Sequence, residues 1–147
     1  MSVSPFIGNL TEGVNGKTTN KDLGTALELI YSYFTGLNYD PASFTAYKDK
    51  QSAMTANMLS NPQFYFSNEY SKFLQQKNPR FTNIIPLTED WEKADYKKAY
   101  DIYKEKFANA GNFHFYFVGN LDENKMKEFA TQYLGNLPSK GKATSFK

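Results

Sequence analysis

The stretch FHFYFVGNLDENKMKEF, residues 113–129, predicts a β-strand followed by a helix. Each odd-numbered position of residues 113–118 is phenylalanine, and the even-numbered positions are His114, Tyr116 and Val118. A period of two is typical of a strand whose side chains point alternately to its two faces. We therefore expect a strand over residues 113–118 with two largely apolar faces.

The second half of the same stretch has the spacing of an amphipathic helix. A glycine and an asparagine break the strand pattern, and Asp122 can cap a helix that begins just after it. Gly135 and Pro138 are suited to end that helix. The apolar positions at helical spacing are Met126, Phe129, Ala130, Tyr133 and Leu134.

Four more helices are predicted upstream. Gly36 is suited to end the first, Pro41 and Pro62 each follow a residue that can cap a helix, and the fourth is expected from Asp95. Their apolar positions are Leu23, Ala26, Leu27, Ile30, Tyr31 and Phe34 in the first, Phe44, Tyr47, Met54 and Met58 in the second, Phe66, Tyr70, Phe73 and Leu74 in the third, and Tyr96, Ala99, Tyr100, Tyr103 and Phe107 in the fourth.

The remaining segments are a second strand and a connection. Residues 3–12 are rich in β-formers, and the pair Asn15-Gly16 is suited to a tight turn after them. Residues 77–90 contain two prolines and no period, so we expect a surface connection pinned by its apolar residues, Ile84, Ile85 and Leu87.

The composition favours a single soluble domain that does not bind nucleic acid. The 147 residues carry a formal net charge of +2 without a basic block, and Arg80 is the one arginine, the residue favoured for reading phosphates. The absence of cysteine excludes disulfides, thiol catalysis and Cys-ligated zinc. No apolar run approaches the ~18 residues of a membrane span, and no secretion signal is evident.

Histidine chemistry depends on His114, the only histidine. A zinc site needs three or four ligands, and no second imidazole or thiolate exists here. We therefore interpret His114 as a partly buried strand residue beside Tyr116. The less favoured alternatives are a metal ligand and a general base.

The acidic segment around Trp91 is the other candidate. Glu89, Asp90 and Glu92 fit a solvated first helical turn, which the helix dipole favours, and the alternative is a paired acid and base or a carbohydrate platform. The glycines match neither a P-loop nor a dinucleotide fingerprint, and no G-x-S-x-G occurs.

The two predicted strands do not make a stable sheet by themselves. We expect them to pair with each other and still to leave an open edge or an apolar face. Further strands are then expected from outside this sequence or from a second copy, and the isolated chain is expected to self-associate.

Three stretches together closely resemble the insulinase/pitrilysin family of zinc metallopeptidases, in its multi-domain bacterial branch. They are EGVNGKTTNKDLGTALELIYSYFTG, DPASFTAYKDK and YKEKFANAGNFHFYFVGNLDENKMKEFATQYLGNLP. The similarity covers about residues 3–138. Its most specific part runs from Tyr103 to YLGNLP, which is similar to the helix, central strand and closing helix of that family.

This resemblance implies a helix-rich α+β fold with a largely antiparallel sheet backed by helices. Residues 1–147 would form a single partial domain, the C-terminal part of one peptidase homology domain, and like domains would pair with it around a peptide-holding chamber. Members of the family hold zinc through an H-x-x-E-H motif and a downstream glutamate. Relatives of this branch are commonly periplasmic or membrane-attached, so that location is expected for the parent protein.

The chain departs from the catalytic pattern of the family in two places. One histidine cannot supply H-x-x-E-H, and FTAYKDKQS, where a catalytic copy has its downstream glutamate, contains Asp49 but no Glu. No catalytic, cofactor-binding or metal-binding residue is therefore assigned, and zinc is expected only in the catalytic domain of the parent.

The resemblance thus implies a non-catalytic domain of a zinc metalloendopeptidase that degrades peptides. Its role would be to form chamber wall and interdomain contacts, with the other domains and the peptide substrate of the parent as partners. The alternative is a stand-alone interaction module that binds peptide or glycan through exposed tyrosines.

Overall fold

The chain begins with a β-hairpin. Strand β1 (Ser2–Ile7) pairs antiparallel with strand β2 (Glu12–Lys17), and the Gly8 N–H donates to the Thr11 carbonyl at 2.8 Å to close the turn. The prediction of one strand over residues 3–12 was wrong, because the chain reverses within that range. The computed structural model describes residues 1–75, 78, 80–141 and 143.

The pair Asn15-Gly16, predicted as a turn, lies inside β2. Gly16 faces Val3 across the hairpin, and a Cβ added to Gly16 would come within 3.1 Å of the Ser2 carbonyl oxygen. Neither residue has a positive φ. The glycine therefore permits a close approach of the two strands instead of a tight turn.

Residues 113–118 are extended but are not part of a sheet. Their phenylalanines are half-buried, while Tyr116 is 84% and Val118 97% exposed, so the predicted alternation is confirmed. The prediction that this segment pairs with the first strand was wrong, because β1 pairs with β2. A period of two predicts that a segment is extended and shows which of its side chains face the core. A β-strand also needs a neighbouring strand with which to form hydrogen bonds.

The described residues form six α-helices, which account for most of the ordered secondary structure. None of them is long and apolar enough to cross a membrane. A π-helical turn continues the last helix and ends next to Gly135. The helices are α1 (Leu23–Thr35), α2 (Pro41–Leu59), α3 (Pro62–Gln75), α4 (Thr88–Glu92), α5 (Tyr96–Lys106) and α6 (Glu123–Phe129).

The starts predicted for α2, α3 and α6 are confirmed by their caps, whereas no side-chain cap bond is found at the start of α1. The Asp40 carboxylate accepts the Ser43 N–H at 3.1 Å, and its hydrogen bond with the Ser43 hydroxyl is the main reason that the pKa of Asp40 is lowered. Asn61 accepts the Gln63 N–H at 2.9 Å at the start of α3, and Asp122 caps α6. These side chains satisfy N–H groups that the helices cannot bond internally.

One compact unit consists of residues 1–38 and 99–147, and its core forms around α1. Leu27 is completely buried and Phe107 is 1% exposed. The Phe34 ring meets the rings of Phe107 and Phe113 edge-on, with centroids 5.0 and 4.9 Å away. Such aromatic pairs contribute about 0.5–1.5 kcal/mol beyond their buried area, so they fix the start of residues 113–118 against α1.

Two tyrosines connect α5, α1 and β1 within this unit. The Tyr103 hydroxyl donates to the Tyr33 carbonyl, and the Tyr33 hydroxyl donates to the Val3 carbonyl, both at 3.0 Å. Burial, with a further contribution from the neighbouring Tyr33, raises the pKa of Tyr103 to about 12. The hydroxyl of Tyr103 therefore remains a donor throughout the neutral and mildly basic range.

The other compact unit, residues 39–98, buries polar side chains that find partners. Asn68 is 2% exposed, and its amide donates to the Ile85 carbonyl at 3.0 Å and accepts the Ile85 N–H at 3.1 Å. The Trp91 indole N–H donates to the buried Thr55 hydroxyl at 3.1 Å. Ile85 thus pins residues 80–90 as predicted, but the same prediction was wrong for Ile84, which is 64% exposed. Residues 77 and 79 of that connection lie outside the described residues.

The apolar positions predicted for α3 do not face a core. Each is more than half exposed: Phe66, Tyr70, Phe73 and Leu74. In α2 the buried side chain is Thr55, while Met54 is about half exposed. Helical spacing found the aromatic face of α3, but this unit buries Asn68 because the main chain of Ile85 supplies both of its hydrogen-bond partners.

Candidate functional site

A groove of about 470 Å³ lies between β2 and residues 112–117, with α1 as its floor. This volume is within the ~300–1,000 Å³ typical of ligand sites. The floor is apolar because α1 turns its helically spaced side chains towards the strands. The floor side chains are Leu23, Ala26, Leu27 and Ile30.

Both walls of the groove are extended main chain. All of β2 lines one side together with Val3 and Phe6 of β1, and the Phe6 ring covers Gly13, where a Cβ would come within 2.9 Å of it. Residues 112–117 line the other side. The groove therefore combines main-chain groups of extended segments with an apolar floor, an arrangement that can hold a ligand.

Polar contacts connect the walls at both ends of the groove. At one end the Lys106 ammonium lies 3.9 Å from the Glu12 carboxylate at the start of β2. At the other end the Asn20 side-chain amide donates to the Asn120 carbonyl at 2.8 Å. Both contacts are at the surface and involve residues outside the groove lining, so they contribute little stability.

His114 is in the exposed row of residues 113–118. Its ring centroid is 6.5 Å from that of Tyr116, which agrees with the prediction that His114 lies beside Tyr116. The predicted partial burial was wrong, because the even-numbered row faces away from α1. His114 also borders the groove.

The three carboxylates near Trp91 lie at α4, and two of them have local partners. Asp90 accepts the Leu87 N–H at 2.8 Å, which is the bonding expected of a first helical turn. Glu89 lies 3.5 Å from Lys93, and both side chains are about three-quarters exposed. Asp90 also borders a more open hollow of the second unit, about 580 Å³ in volume.

The exposed aromatic face of α3 is the other surface that could bind a ligand. The rings of Phe66 and Tyr70 stack with centroids 5.8 Å apart, and Phe73 is 68% exposed. Stacked exposed rings are typical of surfaces that contact partners. This face is the structural counterpart of the exposed tyrosines that the alternative interpretation needs.

Sequence patterns predicted the floor of the groove but not the groove. The apolar positions of α1 and the inward row of residues 113–118 were both identified. The gap was missed because its β2 wall was mistaken for a turn at Asn15-Gly16. Among the described residues, no three His, Cys, Asp or Glu side chains lie close enough to form a metal-binding group.

Comparisons with known proteins give no relative. No protein-family model, no curated protein and no solved structure matches this chain.

Proposed function

We propose that this chain is part of a non-catalytic domain of a zinc metalloendopeptidase that degrades peptides. Its role is to contribute wall and interdomain contacts to a substrate chamber, while another domain of the same protein cuts the peptide. The other domains of that peptidase are its partners, and a periplasmic or membrane-attached location is part of the proposal.

The observation that carries this proposal is the unfinished sheet. β2 and residues 113–118 are two extended segments on one apolar helix face, and they leave a groove between them. Open sheet edges and apolar faces are normally paired or covered in a complete domain. A piece of a larger domain has such edges for a simple reason, because its other strands lie elsewhere in the protein.

The residues of this chain do not fit a resident zinc ion. The single imidazole is exposed beside Tyr116, and Asp90 is committed to the start of α4. Structural and catalytic zinc sites use three or four His, Cys or carboxylate ligands that converge on the ion. The proposal therefore assigns the zinc ion and its chemistry to another domain.

The isolated chain is expected neither to hold zinc nor to hydrolyse peptides. The experiment is dialysis with zinc against a weak chelator, followed by metal analysis and a fluorogenic peptide assay. Stoichiometric zinc after dialysis would contradict the assignment. The proposal as a whole is tested by the complete coding sequence: an H-x-x-E-H helix in the same reading frame supports it, and its absence overturns it.

A stand-alone module that binds peptide or glycan is the second candidate. The observation in its favour is the stacked, exposed Phe66 and Tyr70 pair on α3. Titration with oligosaccharides and peptides, monitored by tyrosine fluorescence of wild type and Tyr70→Ala, tests it. Saturable binding that Tyr70→Ala removes would favour this candidate.

A further inference from the structure

Helix α3 turns its polar side towards the rest of its unit. Among residues 62–75, Asn68 and Ser71 are the two that are not exposed, and Asn68 holds Ile85 through two hydrogen bonds. A helix turns by about 100° per residue, so the positions two before and two, five and six after Asn68 lie about 120–160° away from it around the helix. These positions form the aromatic face of α3, which consists of Phe66, Tyr70, Phe73 and Leu74.

This orientation leaves α3 without the packing that normally stabilises a helix of its length. Isolated helices shorter than ~12–15 residues are marginal in water, and most helical stability in proteins comes from packing of an apolar face. α3 has 14 residues, while Phe66, Phe73 and Leu74 are 67%, 68% and 61% exposed. Burial of the aromatic face against a partner would supply the packing that the unit itself does not give.

The aromatic face has the area of one half of a small protein interface. A buried aromatic side chain covers about 150–250 Å², so the exposed parts of the three rings amount to roughly 280–470 Å². Two such faces, together with Leu74 of each, approach the ~1,000 Å² at which specific interfaces begin. This area is suited to a weak and reversible association between two copies.

The pattern of the aromatic face is symmetric about Tyr70. Phe66 lies four residues before Tyr70, and Leu74 lies four residues after it. Glu69 precedes Tyr70 and Lys72 follows it, and both are on one flank of the helix because their charged groups lie 4.0 Å apart. A two-fold dimer needs such a self-complementary surface, in which residue i meets residue j and residue j meets residue i.

We propose that the aromatic face of α3 binds the same face of a second copy of this chain, with the two helices antiparallel around a two-fold axis at Tyr70. Each Phe66 then lies against Leu74 of the other copy. The axis keeps the two charged flanks on the same side, so each Glu69 lies opposite Lys72 of the other copy, which fixes the register. A parallel pair would place the charged flanks on opposite sides, away from each other.

Charge and spacing favour this occupant over others. Helices that lie on a lipid surface carry an excess of lysine and arginine on their polar face. In α3 the charged residues are Glu69 and Lys72, whose charges cancel. A partner of unrelated sequence would not need a pattern that is symmetric about Tyr70. A second copy is therefore the occupant that the composition of the face selects.

Sedimentation equilibrium of the full chain at about 5–500 µM tests the association. We expect a reversible dimer with a dissociation constant on the order of 10–100 µM, because the interface is near the lower size limit. Phe73→Glu buries an unpaired charge and should weaken the dimer at least about thirtyfold. Tyr116→Glu, at a ring that is 84% exposed in the other unit, is the control and should change the constant by less than about threefold.

Cysteine cross-linking tests the direction of the helices, since the chain has no cysteine of its own. We expect Tyr70→Cys to form a disulfide-linked dimer on oxidation. Phe66→Cys alone should not, because antiparallel helices separate its two copies by about 12 Å along the axis. A mixture of Phe66→Cys and Leu74→Cys should give the mixed dimer. This measurement decides the question even if Phe73→Glu does not fold.

Exchange of the two flank charges tests their pairing. Glu69→Lys makes both flanks wholly positive, so we expect the dimer to weaken by about three- to tenfold. The double variant Glu69→Lys with Lys72→Glu forms the same pairs with the signs reversed. We expect it to dimerise as tightly as the wild type, within about twofold.

Three outcomes would overturn the proposal. The first is a chain that is monomeric over the whole concentration range. The second is a dimer that Phe73→Glu and Tyr116→Glu weaken equally, which would place the contact elsewhere. The third is a monomer that binds phosphatidylcholine vesicles in the wild type but not in Phe73→Glu, which would identify a lipid surface as the occupant. The proposal does not rest on the peptidase assignment: a reading frame without H-x-x-E-H overturns that assignment and leaves the dimer untouched.

Discussion

The hairpin and residues 113–118 differ in whether an alternation of side chains along the sequence goes together with strand pairing. β1 and β2 have few large apolar side chains, yet they form a regular ladder closed by the Gly8–Thr11 turn. Residues 113–118 alternate almost perfectly and have no strand beside them. The hairpin succeeds because a short turn brings its partner strand close at a low entropic cost.

A strong period of two in the sequence therefore shows that one side of a segment is buried. It does not show that the segment is paired with another strand. In residues 113–118 the inward row is held by rings, chiefly Phe34 and Phe107. In the hairpin, β1 and β2 are held together by main-chain hydrogen bonds. The variants below remove one kind of support at a time, and they separate extended chain held by packing from strand held by pairing.

Phe107→Ala is expected to have the largest effect. The Phe107 ring is 1% exposed and lies 4.4 Å from Tyr103, 5.0 Å from Phe34 and 5.3 Å from Phe113 between centroids. Removing such a ring leaves a cavity, so the free energy of unfolding should fall by about 3–5 kcal/mol. Urea unfolding followed by circular dichroism measures this loss.

Phe107→Leu is the matched control for this variant. It keeps most of the apolar volume and should lose less than about half as much stability. If packing holds residues 113–118, replacing Phe107 with alanine should accelerate cleavage by a protease of broad specificity more within residues 113–118 than within β2. Equal acceleration in both segments would show that they open together, and the distinction between them would be lost.

Asn68→Ala is expected to rank second. The Asn68 amide gives the main chain of Ile85 the two bonds that a neighbouring strand would give. Among residues 1–75, 78, 80–141 and 143, no partner supplies such bonds to residues 114–118. Removal of the Asn68 amide leaves a buried donor and a buried acceptor without partners, so we expect a loss of about 2–3 kcal/mol. Asn57→Ala on exposed α2 surface is the control and should change stability by less than about 0.5 kcal/mol.

Local sequence signals predicted the helices better than the sheet. Caps at Asp40, Asn61 and Asp122 act within a few residues, so the helix starts were readable. The hairpin turn at residues 8–11 has no glycine in its central positions and was hidden by the stronger Asn15-Gly16 signal. The exposed face of α3 and the groove depend on contacts distant in sequence, which no local period encodes.

Tyr103→Phe should have a smaller effect that depends on pH. It removes the hydroxyl that donates to the Tyr33 carbonyl at 3.0 Å, at a cost of about 1 kcal/mol near neutral pH. Burial raises the pKa of Tyr103 from 10.0 to about 12, so the protonated form is favoured in the folded state. This contribution is complete below pH 10 and is lost as the pH rises to about 12.

The measurement is urea unfolding of wild type and Tyr103→Phe at several pH values between 9 and 12. The two proteins differ only in the hydroxyl of residue 103, so the difference in stability between them reports that hydroxyl and its interaction with the neighbouring Tyr33. We expect wild type to be the more stable at the lowest pH and the difference to shrink as the pH rises. A difference that stays constant with pH would contradict the link between burial of the hydroxyl and stability.

His114→Gln is expected to have the smallest effect. His114 is in the exposed row of residues 113–118, where its contact is the neighbouring ring of Tyr116. Glutamine keeps a polar side chain of similar length, so the free energy of unfolding should change by less than about 0.5 kcal/mol, and the activity of the proposed parent peptidase by no more than a few-fold. A loss of several orders of magnitude in activity with an intact fold would show that this imidazole takes part in chemistry. Destabilisation beyond about 1 kcal/mol would instead show that the outward row is packed against something, and the contrast between a paired hairpin and an open segment would no longer hold.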